Sequence, residues 1–258
     1  MKLTSLNGGL LVINADDWGH DRRTTDCILD CATQGRISTV SAMVFMEDSA
    51  RAAELSHEHG LCPGLHLNLT EAFSPTTCAH TLMEKQRQIA TWLRGHRYSR
   101  GVFHPGLRSA FQYVVAAQLN EFQRLYGARP ARIDGHHHMH LSPNVLLSKL
   151  LPAATALRRN FSFRPGEKGK INRFYRSAID RVLARRHVLT DYFFALAPLE
   201  PIDRLQDIFS LASRYTVEVE THPANEPEYN FLLSDRMLEL IENIRLARPS
   251  GVCNGLPV

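Results

Sequence analysis

The sequence lacks several features that mark particular classes of protein. None of its 258 residues lies in an uninterrupted apolar run of about 18, so we expect no membrane-spanning helix. The first residues include one lysine but no apolar segment followed by a small-residue cleavage site, and they do not predict a signal peptide. Basic residues exceed acidic residues only slightly, 30 against 26, and this charge does not predict a nucleic-acid-binding protein.

The cysteines are few and irregularly spaced. There are five, an odd number, and none belongs to a C-x-x-C pair. Disulfide-stabilised small domains and cysteine-type zinc sites both depend on paired cysteines, so we expect neither. We expect the five to be small apolar side chains in a reducing compartment, and the predicted location is the cytoplasm. They are Cys27, Cys31, Cys62, Cys78 and Cys253.

Strand and helix patterns alternate along the whole sequence. Apolar and β-branched runs predict strands at residues 10–14, 38–45, 64–69, 131–134, 161–164, 191–195 and 216–220. Apolar residues at helical spacing predict helices at residues 24–33, 49–59, 82–93, 109–126, 143–157, 171–186, 202–213 and 234–247. Repeated strand–helix units without a long linker are typical of a parallel sheet, either open or closed into a barrel. We therefore expect residues 1–258 to form a single α/β domain.

Histidine is unusually frequent, with 13 in the chain, and several histidines fall in polar clusters at the ends of predicted strands. Loops at the carboxyl ends of parallel strands meet at one edge of the sheet, so these clusters should converge. Imidazole nitrogens and carboxylate oxygens together bind divalent ions such as zinc, and a bound ion activates water as a nucleophile. The clusters are Asn14-Ala15-Asp16-Asp17, His66 with Asn68, Asp134 to His140 (DGHHHMH), and Glu220-Thr221-His222-Pro223.

Each cluster also has an ordinary structural explanation. Asp16 and Asp17 could form a turn that caps a helix, and His66 could be a hydrogen-bonded strand residue. His222, before a proline, could simply close a strand. Four histidines within five residues at 136–140 are harder to explain as a solvated loop. A shared metal site explains all four positions at once, and it is the interpretation we adopt.

Four segments together resemble a known family. They are LLVINADDWG, GLHLNLTEAF, ARIDGHHHMHLSPNV and THP, and they run in order from residue 10 to about residue 223. The chain is similar to the YdjC-like (chitooligosaccharide deacetylase-like) carbohydrate deacetylases. The resemblance implies a distorted, TIM-like (β/α) barrel related to the polysaccharide deacetylases. It also implies a hydrolase that uses a metal ion to remove acetyl groups from N-acetylated sugars.

The resemblance also implies a role for particular residues. Asp16 matches the general base and His222 the general acid. The expected ligands of one divalent ion, zinc or magnesium, are Asp17, His66 and His136. The chain departs from the family pattern at Trp18, where phenylalanine is usual, and after His222, where Pro-Ala replaces Pro-Gly.

Two further residues are weaker candidates. Arg164 lies at the end of a predicted strand and could contact substrate, and His138 could orient a metal ligand from outside the ligand set.

Two other functions fit the same residues. A metal-dependent phosphoesterase on a similar barrel would hold two or three ions and would use more of the histidine run and Glu220. A sugar-binding or metal-binding relative without catalysis would bind a ligand and release no product. For the deacetylase, the expected partner is a small N-acetylated sugar, without nucleic acid, and a homodimer is the assembly suggested by fold analogy.

Overall fold

The computed structural model of the chain describes residues 8–74, 76, 78–95, 98–163, 167 and 169–247. The strands are β1 (Leu10–Trp18), β2 (Thr39–Ala42), β3 (Gly64–Leu67), β4 (Arg132–Gly135), β5 (Ala156–Leu157), β6 (Tyr192–Ala195) and β7 (Thr216–Thr221). The helices are α1 (Arg22–Thr33), α2 (Ser49–Glu58), α3 (His80–Gly95), α4 (Arg108–Tyr126), α5 (Pro143–Leu147), α6 (Lys170–Leu183), α7 (Ile202–Leu211), α8 (Glu226–Leu233) and α9 (Asp235–Ile241). Short 3₁₀ turns span Ser99–Gly101, Pro105–Leu107 and His136–Leu141.

The seven strands form one parallel sheet in the order β5-β4-β3-β2-β1-β7-β6. The sheet curls so that its two ends approach each other. Beside β5, the Leu157 N–H donates to the Val188 carbonyl at 2.9 Å, and the Ser162 N–H donates to the Phe193 carbonyl of β6 at 2.8 Å. These contacts bring the two edges of the curled sheet close together, and the resulting distorted half-barrel with its helices confirms the predicted fold class.

Alternation along the strands divides the side chains between two environments. On β1, Leu11 and Ile13 are fully buried in the main apolar core, which the helices cover. Val12 points to the other face of the sheet and packs in a small apolar cluster that includes Ala156 of β5. The next residue on this inner face of β1 is Asn14, followed by Asp16, and both are buried. The barrel interior is therefore apolar at one end and polar toward the carboxyl ends of the strands.

Three predicted elements in the second half of the chain differ from the structure. The helix predicted at 143–157 ends at Leu147, and Lys149, with a left-handed φ of 53°, does not continue it. Ala156 instead pairs with Arg132 of β4. Residues 161–163 are not a strand, although 161–164 was predicted as one. The helix predicted at 234–247 ends at Ile241, and α8 before it was not predicted.

The cysteines differ from expectation at one position. Cys27, Cys31 and Cys78 are free thiols, whereas Cys62 is disulfide-bonded. The prediction that all five cysteines are unbonded apolar side chains is therefore wrong for Cys62, and Cys253 lies outside the described residues. Cysteine usage consequently gives no support to a reducing compartment.

None of the helices in the described part of the chain combines the length and the apolar character needed to cross a bilayer.

Candidate active site

Both aspartates at the end of β1 face the same space, because the strand is irregular there. Neighbouring residues of a regular strand point to opposite faces of the sheet. Here the pairing with β2 shifts register between Ala15 and Trp18, and Asp17 adopts a left-handed φ of 69°. A bulge of this kind redirects a side chain. As a result, Asp17 Oδ1 lies 3.3 Å and Asp16 Oδ2 lies 4.0 Å from the same atom, His66 Nε2.

His66 is a buried residue of β3 whose two ring nitrogens face different groups. Its Nδ1 donates to Asp134 Oδ1 of the neighbouring strand β4 at 2.7 Å. This hydrogen bond fixes the ring and leaves Nε2 directed toward Asp17. The alternation of GLHLNL correctly predicted a strand here, and His66 lies on its buried inner face.

His136 is the first residue after β4 and approaches Asp17 from the other side. Its Nδ1 lies 3.1 Å from Asp17 Oδ1, and its Nε2 lies 3.1 Å from Glu71 Oε2. Glu71 in turn accepts a hydrogen bond from His20 Nε2 at 2.9 Å, and His20 Nδ1 contacts Asp21 at 2.6 Å. A chain of polar contacts thus supports His136 from the protein surface inward.

The donor atoms of Asp17, His66 and His136 suit a divalent metal ion. One atom from each residue lies within 4.8 Å of the others. Each histidine also directs its second nitrogen to a carboxylate, Asp134 for His66 and Glu71 for His136. This carboxylate–histidine pairing is the usual support of metal-binding histidines. The sequence-predicted ligands therefore meet at one place with a fitting set of donors.

The electrostatic surroundings favour positive charge at this place. Burial opposes protonation of His66, but the charge of Asp16 and the hydrogen bonds with Asp134 and Asp17 raise its pKa to about 10. Burial likewise acts to lower the pKa of His136, and its hydrogen bonds with Asp17 and Glu71 raise it instead. A divalent cation would meet the same demand for positive charge.

Asp16 is held by Arg158, a residue that the sequence did not single out. Arg158 Nη1 donates to Asp16 Oδ2 at 2.7 Å, and Nη2 donates to Oδ1 at 2.8 Å. Asn14 Nδ2 donates to the same Oδ1 at 2.6 Å. Burial acts to raise the pKa of Asp16, yet the positive charges of Arg158 and His66 hold it below its ordinary value. Asp16 is therefore an ionised carboxylate with a fixed orientation.

Arg158 also links Asp16 to the other carboxylates inside the barrel. It contacts Asp134 at 3.2 Å, Glu218 at 2.7 Å and Glu220 at 3.1 Å. Burial is the main reason that the pKa of Glu220 lies well above its ordinary value, and the nearby charges of Asp16 and Glu218 act in the same direction. Glu220 thus belongs to the network around Arg158, and it does not belong to the group around Asp17.

His222 lies at the open side of the site, after the end of β7. Its side chain is 43% exposed, and its Nε2 lies 4.0 Å from Asp16 Oδ2. Glu228 of α8 holds this turn, because its Oε2 accepts hydrogen bonds from the His222 N–H at 3.0 Å and from the Thr221 hydroxyl at 2.8 Å. His222 and Asp16 therefore border the same space, which reaches solvent beside His222.

The remaining histidines of the HHHMH run point to separate places. His137 and His138 have left-handed φ values of 53° and 58°, which break the regular spacing of the turn. His137 Nδ1 contacts the Thr70 hydroxyl at 3.0 Å, and the buried His140 contacts the Arg158 carbonyl at 3.0 Å. His138 packs against Phe161, with Nε2 3.7 Å from Glu220 Oε1. It faces Glu220 rather than the ligand group, and its proposed role in orienting a ligand stays a prediction.

Other predicted and unpredicted residues complete the site. Arg164 lies outside the described residues, and its contact with substrate stays a prediction. Glu71 stands within the GLHLNLTEAF segment, but nothing in that pattern shows that it binds His136. Arg158 follows a strand of two residues that the sequence did not predict, so no pattern placed its side chain inside the barrel.

Comparison with curated proteins finds deacetylases among the relatives. A carbohydrate deacetylase of Danio rerio is 34% identical over 139 residues, which cover 52% of this chain and 43% of the relative. A chitooligosaccharide deacetylase of Yersinia enterocolitica is 29% identical over 137 residues, covering 53% of this chain and 52% of the relative. A carbohydrate deacetylase of Mus musculus is 30% identical over 161 residues, covering 62% and 51% respectively. The matches span about half the length of these relatives.

The fold has a solved counterpart. A crystal structure from Enterococcus faecalis, assigned provisionally as a cellobiose-phosphate cleavage protein, superposes with a TM-score of 0.69 at 21% identity. The match covers 95% of this chain and 99% of that one, and it shows a shared architecture. The family model described as YdjC-like protein matches residues 10–243, a range that contains every strand and every residue of the ligand group. The chain therefore belongs to the YdjC-like family.

Proposed function

We propose that this chain is a metal-dependent deacetylase that removes acetyl groups from N-acetylated sugars. The observation that carries the proposal is the convergence of Asp17, His66 and His136 beside the carboxylate of Asp16. Membership of the YdjC-like family and the names of the deacetylase relatives support the same reaction.

Asp17, His66 and His136 would hold one divalent ion, zinc or magnesium. When bound, the ion would polarise the acetyl carbonyl and lower the pKa of water, so that a nucleophile forms near neutral pH. The protein's part is to keep the three donor atoms together. Asp134 and Glu71 do so by fixing the two imidazole rings.

Asp16 would act as the general base. Its carboxylate is ionised and oriented by the two hydrogen bonds from Arg158, and it lies beside the ligand group without being needed as a ligand. It can therefore accept a proton from the attacking water. In this role Arg158 is a positioning residue, because it acts through Asp16.

His222 would act as the general acid. Its Nε2 borders the same space as Asp16, and its exposure allows a sugar to reach it from solvent. Protonation of the departing amine by His222 completes cleavage of the amide bond, which yields acetate and a free amino sugar. The backbone contact with Glu228 fixes the position from which the imidazole acts.

The number of metal ions separates this proposal from a phosphoesterase. Among the described residues, a second group that could hold an ion consists of Asp16, His66 and Asp134. It shares His66 with the first group, and Arg158 binds both of its carboxylates. These contacts favour one ion per chain, as the deacetylase requires.

The test is release of acetate from a panel of N-acetylated mono- and oligosaccharides, with metal content measured on the same preparations. We expect acetate release that a chelator abolishes and added divalent metal restores. D16N should keep its metal and lose turnover by about a hundredfold or more, because the base is missing. H136A should lose both metal and turnover.

Exposed residues of the same types provide controls. D203N and H59A remove an aspartate and a histidine at exposed positions outside the site and should behave like the unmodified protein. Two results would contradict the proposal. One is full metal content in H136A, and the other is a loaded protein that hydrolyses phosphate esters but releases no acetate from any sugar.

A further inference from the structure

Helix α6 presents apolar side chains to solvent, which is the reverse of the usual arrangement. Surface helices normally bury their apolar face against the core. On α6, Ile171 is 87% exposed, Phe174 69%, Tyr175 55% and Val182 61%. The side of the helix that faces the core carries Asp180 and Leu183, which are buried.

The exposed residues form one continuous stripe. Positions 171, 174, 175 and 182, with the half-buried Ala178 between the last two, follow the three-and-four spacing that places side chains on one face of a helix. Beside this stripe, α5 and α6 enclose a groove of about 690 Å³ whose lining includes Leu146, Tyr175, Ile179 and Val182. Leu147 of α5, which is 70% exposed, extends the same surface. An exposed apolar surface of this kind marks an interaction site.

The charge around the stripe is strongly positive. Residues 141–190 contain 11 of the chain's 30 lysines and arginines but only two of its 26 acidic residues, Glu167 and Asp180. Asp180 is already paired with Arg159 at 2.9 Å. Lys170 and Arg181 lie on the same side of α6 as Phe174, at spacings of four and seven residues, and both are exposed. One of the 11, Arg158, is buried inside the barrel, but four basic residues on and after α6 are exposed: Lys170, Arg173, Arg181 and Arg185.

We propose that the apolar stripe of α6 and its basic border dock the protein on a membrane surface that contains anionic lipids. Ile171, Phe174 and Tyr175 enter the boundary between headgroups and acyl chains, and Lys170 and Arg181 contact the phosphates. Apolar residues on one face with lysine and arginine beside them are the features by which helices bind in this boundary. A second copy of the chain is a poorer occupant, because two such faces would bring like charges together.

The docking surface lies outside the candidate active site. Helix α6 follows the loop that leaves the carboxyl end of β5, and the ligand group lies at the carboxyl ends of β1, β3 and β4. The docking surface uses none of the residues assigned to metal binding or proton transfer.

The test is co-sedimentation of the full chain with vesicles of phosphatidylcholine alone and vesicles in which phosphatidylglycerol replaces about a third of the lipid. We expect binding to the anionic vesicles, with affinity that falls as salt is added. The double variant I171S/F174S should lower the partition coefficient by about tenfold or more, because two apolar side chains no longer enter the lipid. K170Q/R181Q should lower it by about tenfold as well.

Matched variants elsewhere on the surface test whether vesicle binding is specific to this face or is a property of any exposed apolar or basic residue. V102S/L238S removes two exposed apolar side chains, and R214Q/R245Q removes two exposed arginines, all outside residues 141–190. Both should bind vesicles like the unmodified chain. Acetate release from a soluble sugar should be unchanged in all four variants, so failure of docking is distinguishable from failure of the proposed reaction.

Two outcomes would overturn the docking proposal. The first is equal binding to neutral and anionic vesicles, or no binding to either. The second is that the chain sediments as a dimer, that I171S/F174S converts this dimer to a monomer, and that vesicles have no effect. This result would assign the face to a second copy of the chain.

Discussion

At the scale of single residues, Arg158 is the group on which the geometry of the candidate base depends. It is fully buried, it contacts four carboxylates, and its guanidinium carbon lies 4.9 Å from the centre of the Phe193 ring. A lysine would keep the charge but would lose the planar pair of donors that holds both oxygens of Asp16.

We therefore expect R158K to lower kcat by about a hundredfold while metal content and KM stay nearly unchanged. Steady-state kinetics and metal analysis on the same preparation check this split. R159K is the matched control, since the neighbouring Arg159 binds Asp180 instead of Asp16. A large rise in KM, or loss of metal, would show that Arg158 does not act through the orientation of Asp16.

A second prediction at the scale of single residues concerns Glu71. Its carboxylate accepts from His136 Nε2, and a neutral amide there would no longer stabilise the orientation and basicity of that ring. E71Q should weaken divalent metal binding by about tenfold to a hundredfold, as measured by titration against a competing chelator. E121Q is the control, because Glu121 pairs with Arg124 on the surface of α4. Unchanged metal affinity in E71Q would remove Glu71 from the support of His136.

At the scale of elements, the turn after β4 determines where His136 points. Gly135 leaves no room for a side chain, because a Cβ at this position would lie 2.9 Å from the His140 nitrogen and 2.9 Å from His140 Nδ1. The left-handed residues His137 and His138 follow immediately. The close contact between Gly135 and His140 therefore holds the start of the turn against the end of β4.

G135A should consequently displace the turn. We expect a loss of about 1–3 kcal/mol in the free energy of unfolding, together with weaker metal binding. Denaturant unfolding and metal titration check the two effects. G101A is the control, because a Cβ there would meet no atom within 4 Å. If G135A is destabilised but binds metal normally, the conformation of this turn does not determine where His136 lies.

The strength of the local pattern determined which elements could be predicted. The apolar run of β1 and the alternation in β3 carry strong signals, so these two strands followed from the sequence. The register shift and the left-handed φ that turn Asp17 toward His66 have no such signal in the sequence. Strand β5 has two residues and little pattern of its own, and the apolar spacing around it favoured a helix. Because β5 was predicted as part of a helix, the sequence did not indicate that the next residue, Arg158, lies inside the barrel.

At the scale of the whole molecule, metal binding and folding should be linked. The ligands come from β1, β3 and the turn after β4, which meet only in the folded chain. An ion at about 100 times its dissociation constant would add about 2.7 kcal/mol of stability. For a chain of this length that corresponds to about 5–10 °C in the melting temperature.

We therefore expect a chelator to lower the melting temperature of the unmodified protein by several degrees. H136A should melt at a temperature that the chelator does not change. Circular dichroism with and without chelator makes the comparison, and re-addition of divalent metal should reverse the shift. A chelator that leaves the unmodified protein unchanged would show that no tightly bound ion contributes to its folded state.

The shortness of β5 has a consequence for how this protein can evolve. The strand has only two residues, and Arg158, which follows it, ties this part of the barrel wall to carboxylates of β1, β4 and β7. The same guanidinium orients Asp16. A lineage that replaces Arg158 must replace both its contacts with the other strands and its hydrogen bonds to Asp16, and a single substitution cannot do both. We therefore expect Arg158 and its carboxylates to be inherited or exchanged as a set.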